Sequence, residues 1–425
     1  MELPLTKNIR PGEEPFNLKE YEKAGGYQAS RKALRSMSPQ EITGMIKDSK
    51  LRGRGGAGFP TGIKWSLVPV DEDVPRPKYL IANTDEMEPG TFKDRLLLEG
   101  DPHQLIEGMI ISAFAVQADV AYIFIRLAYF LAAERLKKAI AEAYDNNYLG
   151  KNIFGSRYSL ELRLHISAGR YICGEETALL NSLEGKRAIP RAKPPYATTV
   201  GLWGKPTVID NAETLCNIPH IINHGADWFK GLSRSESDGG TKIFGVSGKV
   251  KKPGFWELPM GTTIREIIEE HAGGMQDGLK LRGIIPGGAS TDFLVEEHLD
   301  MKIDFDSLQK AGSRMGTGTM IVLDNQTCPV GMVHNLEQFF SRESCGWCTP
   351  CREGLPWVEK ILYDIENGRG HPEDIEILEE QTLLLGPGHT FCALAPGAME
   401  PLESALKYFR EDFEQHIREK RCPWR

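Results

Sequence analysis

The apolar stretch from Met109 to Ala133 limits the fold of this chain more than any other feature of its sequence. A membrane-spanning helix needs about 18 or more nearly uncharged residues, and Asp119 and Arg126 interrupt this stretch. The pattern instead predicts a helix, a strand and a helix over residues 101–118, 120–125 and 129–144. Such an alternation indicates a layered α/β domain and excludes a transmembrane helix.

The chain changes its pattern along its length, and each change predicts a domain boundary. Residues 233–241 form a polar, turn-rich segment of the kind that separates domains. Short strand patterns and one amphipathic helix follow, and beyond Gly331 apolar residues recur at the helical spacings of three and four. The sequence therefore predicts a Rossmann-like α/β domain, a β-grasp-like (ubiquitin-like) domain and a helical bundle over residues 1–240, 241–333 and 334–425.

Composition and charge exclude several classes of protein. The chain has 51 basic and 59 acidic side chains, for a formal net charge of −8, whereas a nucleic-acid-binding domain is normally basic, with a pI above about 9. Eight cysteines in 425 residues are too few for a disulfide scaffold. The first residues do not resemble a signal peptide. We therefore expect a globular protein of the reducing cytoplasm, where clustered cysteines indicate a metal.

A run of three cysteines is the strongest functional signal in the sequence. Cys345, Cys348 and Cys351 follow the spacing C-x-x-C-x-x-C, which brings three thiolates from one turn onto a cubic iron–sulfur cluster. A structural zinc site more often has separated C-x-x-C pairs or histidines, so zinc is the less favoured alternative. Cys392 is the best candidate for the fourth ligand, because it lies in the same helical module. The competing candidates are Cys173, Cys216, Cys328 and Cys422.

A glycine-rich loop lies within residues 51–65, with five glycines in ten residues. Glycines let backbone N–H groups surround an anion, so the loop indicates phosphate binding, with Lys64 as a counter-charge. Part of the loop matches the dinucleotide spacing G-x-G-x-x-G. That fingerprint requires a preceding strand, however, and residues 40–50 are predicted to be helical. We therefore favour a different nucleotide-binding loop over a standard Rossmann site, with a flexible turn as the alternative.

Polar loops follow two further predicted strands, over residues 78–82 and 161–166. Ligands of open α/β sheets bind at the carboxyl ends of strands, and carboxylates there accept hydrogen bonds from sugar hydroxyls. An ordinary solvated acidic loop is the alternative. Residues 187–196 are predicted to form a covering loop and residues 208–217 a polar helix start. The polar side chains of the two loops are Asn83, Asp85, Glu86, Glu88, Glu175 and Glu176.

The same segments carry motifs of a known family. They are Arg-Gly-Gly-Ala-Gly-Phe-Pro-Thr-Gly from Arg54, Asp-Glu-Met-Glu-Pro-Gly-Thr-Phe-Lys-Asp-Arg from Asp85, Tyr-Ile-Cys-Gly-Glu-Glu-Thr from Tyr171, Asp-Asn-Ala-Glu-Thr from Asp210 and Glu-Ser-Cys-Gly-Trp-Cys-Thr-Pro-Cys-Arg from Glu343. With them the chain resembles, over essentially its whole length, the NADH-binding flavoprotein subunits of respiratory complex I. These are the F subunits of bacterial NADH:quinone oxidoreductases.

The resemblance implies several sets of site residues. The residues that hold FMN are Arg54, Gly55, Gly56, Lys64, Asn83, Asp85, Tyr171, Gly174, Glu175, Asn211 and Thr214. Those near NADH are Phe59, Glu88, Glu176, Lys193 and Tyr196. The wider cofactor-binding set adds Ala57, Gly58 and Glu86. Glu88 and Glu176 are the predicted catalytic residues. The ligands of the [4Fe–4S] cluster are Cys345, Cys348, Cys351 and Cys392.

The resemblance also implies a function and partners. NADH passes a hydride to FMN, and the electrons then leave singly through the [4Fe–4S] cluster. The implied partners are a thioredoxin-like [2Fe–2S] subunit, the E subunit, and the other peripheral-arm subunits. No nucleic acid is expected, and the complex is expected at the cytoplasmic face of the cell membrane.

The chain departs from the family pattern at two places, and two alternative functions stay open. Arg126-Leu-Ala-Tyr129 stands where the family has Arg-Gly-Glu-Tyr, and Leu67 stands where some relatives have an aromatic residue. One alternative function is the diaphorase subunit of a soluble NAD-dependent hydrogenase or formate dehydrogenase, which shares the flavin and cluster modules. The other is a non-catalytic, zinc-dependent binding module with the β-grasp domain as its ligand binder.

Overall fold

A computed structural model describes residues 2–71 and 73–425 of the chain. Its contacts divide it into two compact units. The first unit runs through Met87 and includes Phe92–Ile243 and Glu257–Gly261. The second unit comprises Glu88–Thr91, Phe244–Trp256 and Thr262–Arg425. The three domain ranges expected from the sequence stay a prediction.

The first unit is built on a parallel sheet. Its strands are β1 (Tyr79–Thr84), β2 (Val120–Arg126), β3 (Glu161–Ser167) and β4 (Thr207–Asn211). They are ordered β3-β2-β1-β4 in the sheet. The helices described in this unit are α1 (Leu18–Lys23), α2 (Gln28–Ser36), α3 (Pro39–Asp48), α4 (Thr61–Ser66), α5 (Lys93–Gly100), α6 (Pro102–Ala115), α7 (Phe130–Asp145), α8 (Glu176–Leu183), α9 (Ala212–His224) and α10 (Ala226–Gly231).

Burial explains why these segments form a layered α/β unit. Strands β1 and β2 are almost wholly buried, as expected for parallel strands with helices on both faces. Helix α6 is buried along nearly its whole length and begins at Asp101, whose carboxylate accepts a hydrogen bond from the Gln104 backbone. The helix, strand and helix predicted from the long apolar stretch are therefore confirmed.

The strand order reverses direction between β1 and β4. From β1 the chain passes outward to β2 and β3, and it then returns to place β4 on the other side of β1. Asn83 of β1 lies opposite Asn211 of β4 in this parallel pair. Ligands of open α/β sheets bind at such a switch point. The predicted polar helix start at residues 208–217 was wrong in its first half, because a short buried strand precedes α9.

The second sheet mixes parallel and antiparallel pairs. Its strands are β5 (Thr241–Gly248), β6 (Gly254–Pro259), β7 (Leu281–Ile285) and β8 (Thr319–Asp324). Their order is β6-β5-β8-β7, with β5 parallel and β7 antiparallel to β8. The division between the two units falls within β5 and β6. The sequence did not predict β8, and the predicted amphipathic helix contains a π-helical segment, Glu266–His271.

The chain ends in packed helices. After α11 (Phe305–Lys310) the helices described are α12 (Pro329–Glu343), α13 (Leu355–Glu366), α14 (Glu373–Leu384), α15 (Leu394–Tyr408) and α16 (Arg410–Glu419). The apolar residues that recur at spacings of three and four in the last part of the chain are buried on and between α15 and α16, as are those on α13; they are Met399, Leu402, Leu406, Phe409 and Phe413, with Leu355, Val358, Leu362 and Ile365. This confirms a helical core at this end of the chain. Within residues 2–71 and 73–425, every helix falls short of the length or hydropathy of a membrane span.

Candidate functional site

The glycine-rich loop is closed at its neck by backbone hydrogen bonds. The Gly53 N–H donates to the Phe59 carbonyl at 2.9 Å, and the Thr61 N–H donates to the Leu51 carbonyl at 3.0 Å. Helix α3 precedes the loop, which agrees with the expectation that this is not a standard Rossmann turn. Gly56 and Gly58 have φ values of +125° and +66°, which L side chains rarely adopt. The loop therefore needs glycine at these two positions.

Arg54 lies fully buried inside this loop. Its backbone N–H donates to Thr214 Oγ1 at 2.8 Å, and its Nη2 donates to the carbonyls of Gly239 and Thr241. The Nε and Nη1 atoms have no hydrogen-bond partner among the described residues. Burial lowers the pKa of the guanidinium, and the nearby carboxylates of Glu213 and Asp238 oppose that shift. Buried donors of this kind call for an acceptor.

The carboxyl end of β4 lies against the loop, and Asn83 at the end of β1 is paired with Asn211 of β4. A Cβ atom added to Gly55 would lie 3.1 Å from Asn211 Cβ, so the loop backbone approaches the end of β4 closely. Asn211 Nδ2 donates to Asp94 Oδ2 at 2.6 Å, and Lys93 Nζ donates to Asn211 Oδ1 at 3.3 Å. The Asn211 side chain is thereby fixed. The loop therefore meets Asn211 at the end of β4, opposite Asn83 of β1.

A buried ion cluster lies behind Asn211. Glu213 Oε2 lies 2.8 Å from Lys93 Nζ and 2.9 Å from Lys242 Nζ, and all three side chains are buried. Although burial alone would raise the pKa of Glu213, the ammonium groups of Lys242 and Lys93 lower it to about 2. The carboxylate is therefore ionised at neutral pH. It joins α9 to the start of α5 and to β5.

A second group of charges surrounds Lys64. Its ammonium lies 3.4 Å from Asp210 Oδ1 and 3.9 Å from Glu176 Oε2. Lys193 Nζ lies 3.0 Å from a carboxylate oxygen of Glu175 and 3.0 Å from one of Glu176. Glu175 also accepts hydrogen bonds from the first backbone N–H groups of α8. The predicted side chains thus form one ionic group at the start of α8.

Two aromatic side chains of the predicted set are open to solvent. Phe59 is 51% and Tyr196 is 59% exposed. Large rings at this exposure are available to stack on a planar ligand.

The predicted residues Tyr171 and Gly174 are the first and last residues of a short 3₁₀ turn. A Cβ atom at Gly174 would meet open space.

Glu86 serves chiefly the start of α5. Its two carboxylate oxygens accept hydrogen bonds from the backbone of Lys93, Asp94 and Arg95 and from the Tyr129 hydroxyl at 3.0 Å. Burial and the nearby Asp94 carboxylate raise the pKa of Glu86 to about 7. Arg126 Nη1 donates to the Glu86 carbonyl. The turn that departs from the family pattern therefore contacts Glu86 through its first and last residues.

Glu88 belongs to the second unit, where the Ser290 N–H donates to its Oε1 at 2.6 Å. A Cβ atom at Gly288 would lie 2.5 Å from Glu88 Cγ. The carboxylate is therefore held closely by the segment around Ser290. Its expected role near NADH stays a prediction.

The cysteine run forms a loop between α12 and α13. Ser344 Oγ lies 3.1 Å from Cys351 Sγ, and the rings of Trp347 and Phe391 meet edge to face at 6.4 Å. This aromatic contact brings the run next to the loop of Cys392. Burial, together with the nearby Cys348, Cys392 and Cys345 thiols, raises the pKa of the Cys351 thiol to about 12, while the hydrogen bond with Ser344 opposes the shift. The four predicted thiols are therefore neighbours, an arrangement suited to a metal cluster.

Sequence reasoning missed the charged residues behind the site. Lys93 and Asp94 lie within a family motif, as do Asp210 and Glu213, but none of them was assigned a role. Lys242 was not assigned a role either. A charged residue within a predicted buried strand, as Lys242 is in β5, would have indicated an internal ion pair.

Three family models match consecutive parts of the chain. Residues 46–220 match the Nuo51 FMN-binding domain. Residues 242–321 match the SLBB domain, and residues 331–416 match the iron–sulfur binding region of NADH-ubiquinone oxidoreductase F. The matches cover the glycine loop, the second sheet and the four neighbouring cysteines.

Relatives match nearly the full chain. The F subunit of the NADH-quinone oxidoreductase of Salmonella typhimurium is 58% identical over 98% of this chain and 93% of the relative. The F subunit of the Escherichia coli K12 enzyme is also 58% identical over 98% of this chain and 93% of the relative. Among solved structures, an air-oxidised NAD⁺-reducing [NiFe]-hydrogenase superposes with a TM-score of 0.80 and 34% identity. The match covers 89% of this chain but 63% of the hydrogenase chain, so the diaphorase alternative fits less well.

Proposed function

The chain belongs to the family of F subunits of NADH-quinone oxidoreductases, and on that basis we propose which of its residues bind the cofactors and the substrate. As a member of this family it is the NADH-oxidising, electron-input subunit, with FMN and a [4Fe–4S] cluster as cofactors. It acts together with other subunits of that complex.

The FMN assignment rests on one observation. The glycine loop, with its buried Arg54, lies against the carboxyl end of β4, and β4 pairs with β1 at the switch point of the parallel sheet. Arg54 has N–H groups without acceptors among the described residues, and an anionic group at the loop would supply acceptors. The residues proposed to hold FMN are Arg54, Gly55, Gly56, Lys64, Asn83, Asp85, Tyr171, Gly174, Glu175, Asn211 and Thr214, with Ala57, Gly58 and Glu86 in the surrounding wall.

The protein contributes position and charge in this proposal. Bound FMN supplies hydride acceptance from NADH and release of single electrons, and the [4Fe–4S] cluster carries them one at a time. Lys93 and Asp94 hold the Asn211 amide from two sides. Glu213 pairs with both Lys93 and Lys242 behind it. Lys64 places positive charge near the glycine loop. These contacts fix the site before any cofactor binds.

The NADH residues are proposed from their chemistry and exposure. The rings of Phe59 and Tyr196 are half exposed and are suited to stacking on a base or nicotinamide. The Glu176 carboxylate is suited to accept hydrogen bonds from ribose hydroxyls, and Lys193 holds it in place. Glu88 is proposed to tune the affinities for NADH and NAD⁺, because a carboxylate attracts the oxidised, positively charged nicotinamide and repels phosphates.

The cluster ligands are proposed to be Cys345, Cys348, Cys351 and Cys392. The thiols of Cys345, Cys348 and Cys392 lie close enough to the Cys351 thiol to raise its pKa. Three of them have the spacing typical of a [4Fe–4S] cluster.

Substitution of the two acidic residues tests the NADH assignment. We expect Glu88→Gln to change the dissociation constants of NADH and NAD⁺ by different factors, and Glu176→Gln to weaken NADH binding about tenfold, as for one lost charge-assisted hydrogen bond. Titration of the FMN-loaded chain with each nucleotide measures both. Glu134→Gln, an exposed change on α7, is the control. Unchanged affinities for both nucleotides in Glu88→Gln would contradict the role of Glu88.

The finer partners and location are also proposals. Electrons that leave the cluster need an acceptor, and we assign that role to the thioredoxin-like [2Fe–2S] E subunit, with the other peripheral-arm subunits beyond it. The assembled complex is proposed to lie at the inner face of the cell membrane. Copurification of the chain with the E subunit, lost after removal of either protein's cluster ligands, would support this assignment.

A further inference from the structure

Four metal-ligating side chains meet in the second unit outside the proposed cofactor sites. Cys328 caps the N-terminus of α12, Glu366 ends α13, His416 lies in the last turn of α16, and Cys422 follows α16. Their ligand atoms all lie within 4.8 Å of one another. The group, here called the C-terminal tetrad, therefore joins three helices and the last residues of the chain.

The distances within the tetrad approach those of a tetrahedral metal site. Cys328 Sγ lies 3.3 Å from Glu366 Oε2 and 3.3 Å from His416 Nε2, and these two atoms are 3.2 Å apart. A four-coordinate zinc ion with bonds of about 2.0–2.3 Å separates neighbouring ligand atoms by roughly 3.3–3.8 Å. Small side-chain shifts would thus make room for an ion. Two thiols, an imidazole and a carboxylate form a donor set that suits Zn²⁺.

Hydrogen bonds with neighbouring backbone groups hold two of the four donors, His416 and Cys328. His416 Nδ1 lies 2.6 Å from the Asp412 carbonyl oxygen. A carbonyl only accepts hydrogen bonds, so Nδ1 carries the proton, which leaves Nε2 of the neutral ring as a ligand. The Gly331 N–H donates to Cys328 Sγ at 3.2 Å, a contact that stabilises a thiolate.

The charge of an occupied site is also balanced. A divalent ion with two thiolates and one carboxylate carries a net charge of −1. Arg425 Nη2 lies 3.2 Å from Glu366 Oε1 and offsets that charge. His416, Glu366 and Cys422 are buried, so the site is closed to solvent on most sides. Four protein ligands with no open position are typical of a structural site.

We infer that the C-terminal tetrad binds one Zn²⁺ ion, independently of NADH oxidation. On binding, the Cys328 and Cys422 thiols lose two protons, and the ion gains two bonds to sulfur, one to His416 Nε2 and one to a Glu366 oxygen. The ion fastens the end of the chain. A Cβ atom at Gly368 would lie 2.0 Å from the Lys420 carbonyl oxygen, and the Trp424 ring stacks on His416 at 5.7 Å, so this segment already packs on the helices.

Elemental analysis and zinc-edge absorption of the purified complete chain test the inference. We expect about one zinc ion per chain in addition to the iron of the cluster, with two sulfur ligands at about 2.3 Å and two nitrogen or oxygen ligands at about 2.0 Å. Cys422→Ser should lose at least nine-tenths of the zinc and keep its iron. Cys216→Ser, which removes a buried thiol outside both cysteine groups, is the matched control and should keep both metals.

Cobalt substitution keeps the test independent of variant folding. Growth of the wild-type chain with Co²⁺ should give thiolate-to-cobalt charge-transfer bands and tetrahedral ligand-field bands. Their absence together with absence of zinc would overturn the inference. Zinc retained in full by Cys422→Ser would also overturn it. So would a Cys328–Cys422 disulfide in the purified chain, detected by the loss of two hydrogen masses.

Discussion

The two proposed cofactor sites of the molecule are held in different ways. The glycine-loop site is built on strand ends, with Asn211 fixed by two side chains and backed by the ion cluster of Lys93, Glu213 and Lys242. The cysteine site lies on loops between helices, and three of its four thiols are partly exposed. Regular structure and buried ion pairs order the first site without a cofactor. We expect the second site to gain order when it binds its metal, because thiols form strong bonds only as metal-bound thiolates.

Substitution of a cluster ligand is expected to have the largest effect and to separate the functions of the two sites. Cys348→Ser should abolish electron transfer from NADH to quinone in the assembled complex, because the cluster loses a ligand. Reduction of an artificial acceptor that takes electrons directly from the flavin should stay within about twofold of wild type. Both rates are measured on the same membrane preparation. Cys216→Ser, as the control, should keep both. Equal loss of both activities in Cys348→Ser would contradict the separation.

The buried ion cluster gives the next largest effect. Glu213→Gln leaves Lys93 and Lys242 without their shared carboxylate, and removal of one partner from a buried ion pair costs about 3–5 kcal/mol. Hydrogen exchange of amides in α9 and β4 should report this loss in the free energy of opening. Glu134→Gln on the surface of α7 should change it by less than about 0.5 kcal/mol. Unaltered exchange in Glu213→Gln would show that the ion cluster does not order the first site.

The Glu213 carboxylate should also make the stability of the first site depend on pH. The pKa of Glu213 falls from 4.5 to about 2 on folding, so its stabilisation is fully present above about pH 4.5 and is lost as the pH falls toward 2. The shift corresponds to roughly 3 kcal/mol. The difference in opening free energy between wild type and Glu213→Gln should therefore narrow as the pH falls below 4.5. A difference that stays constant from pH 6 to pH 3 would refute this assignment.

A pair of glycine substitutions gives the smallest effects: one weakens FMN binding, and the other stabilises the folded chain. Gly55→Ala would place its Cβ 3.1 Å from Asn211 Cβ, and we expect FMN affinity to fall about tenfold, or roughly 1.4 kcal/mol. Gly44→Ala on α3 meets open space and should stabilise the chain by about 0.5–1 kcal/mol. Flavin titration and thermal unfolding measure the two effects. Equal FMN affinity in both variants would show that the loop does not need its close approach to β4.

The elements predicted from local patterns were confirmed, and those that depend on distant pairing were missed. The apolar stretch around Met109 carries its own periodicity, so its two helices and one strand were evident. Strands β4 and β8 were missed because each is a short apolar run whose pairing partner lies far along the chain. The ion cluster joins residues 93, 213 and 242. The C-terminal tetrad joins residues 328, 366, 416 and 422. Such pairs leave no local signature, because burial and charge balance arise only after folding.

The site residues were predicted by type rather than by contact. The cysteine spacing alone indicated the cluster, since its chemistry demands converging thiolates. The glycine loop indicated an anion but not its close approach to Asn211. Glu86 was expected to bind cofactor, and the structure shows its carboxylate at the start of α5; whether it also contacts FMN stays a prediction.

Visible and electron paramagnetic resonance spectra of the purified chain, before and after addition of NADH, show directly whether electrons pass from NADH through the flavin to the cluster. We expect a flavin absorption band that bleaches on addition of NADH and a cluster signal that appears on full reduction. These changes would place hydride acceptance and single-electron release on this one chain. A chain without visible absorbance, or a flavin band that NADH leaves unchanged, would contradict the proposed path of electrons from NADH to the cluster.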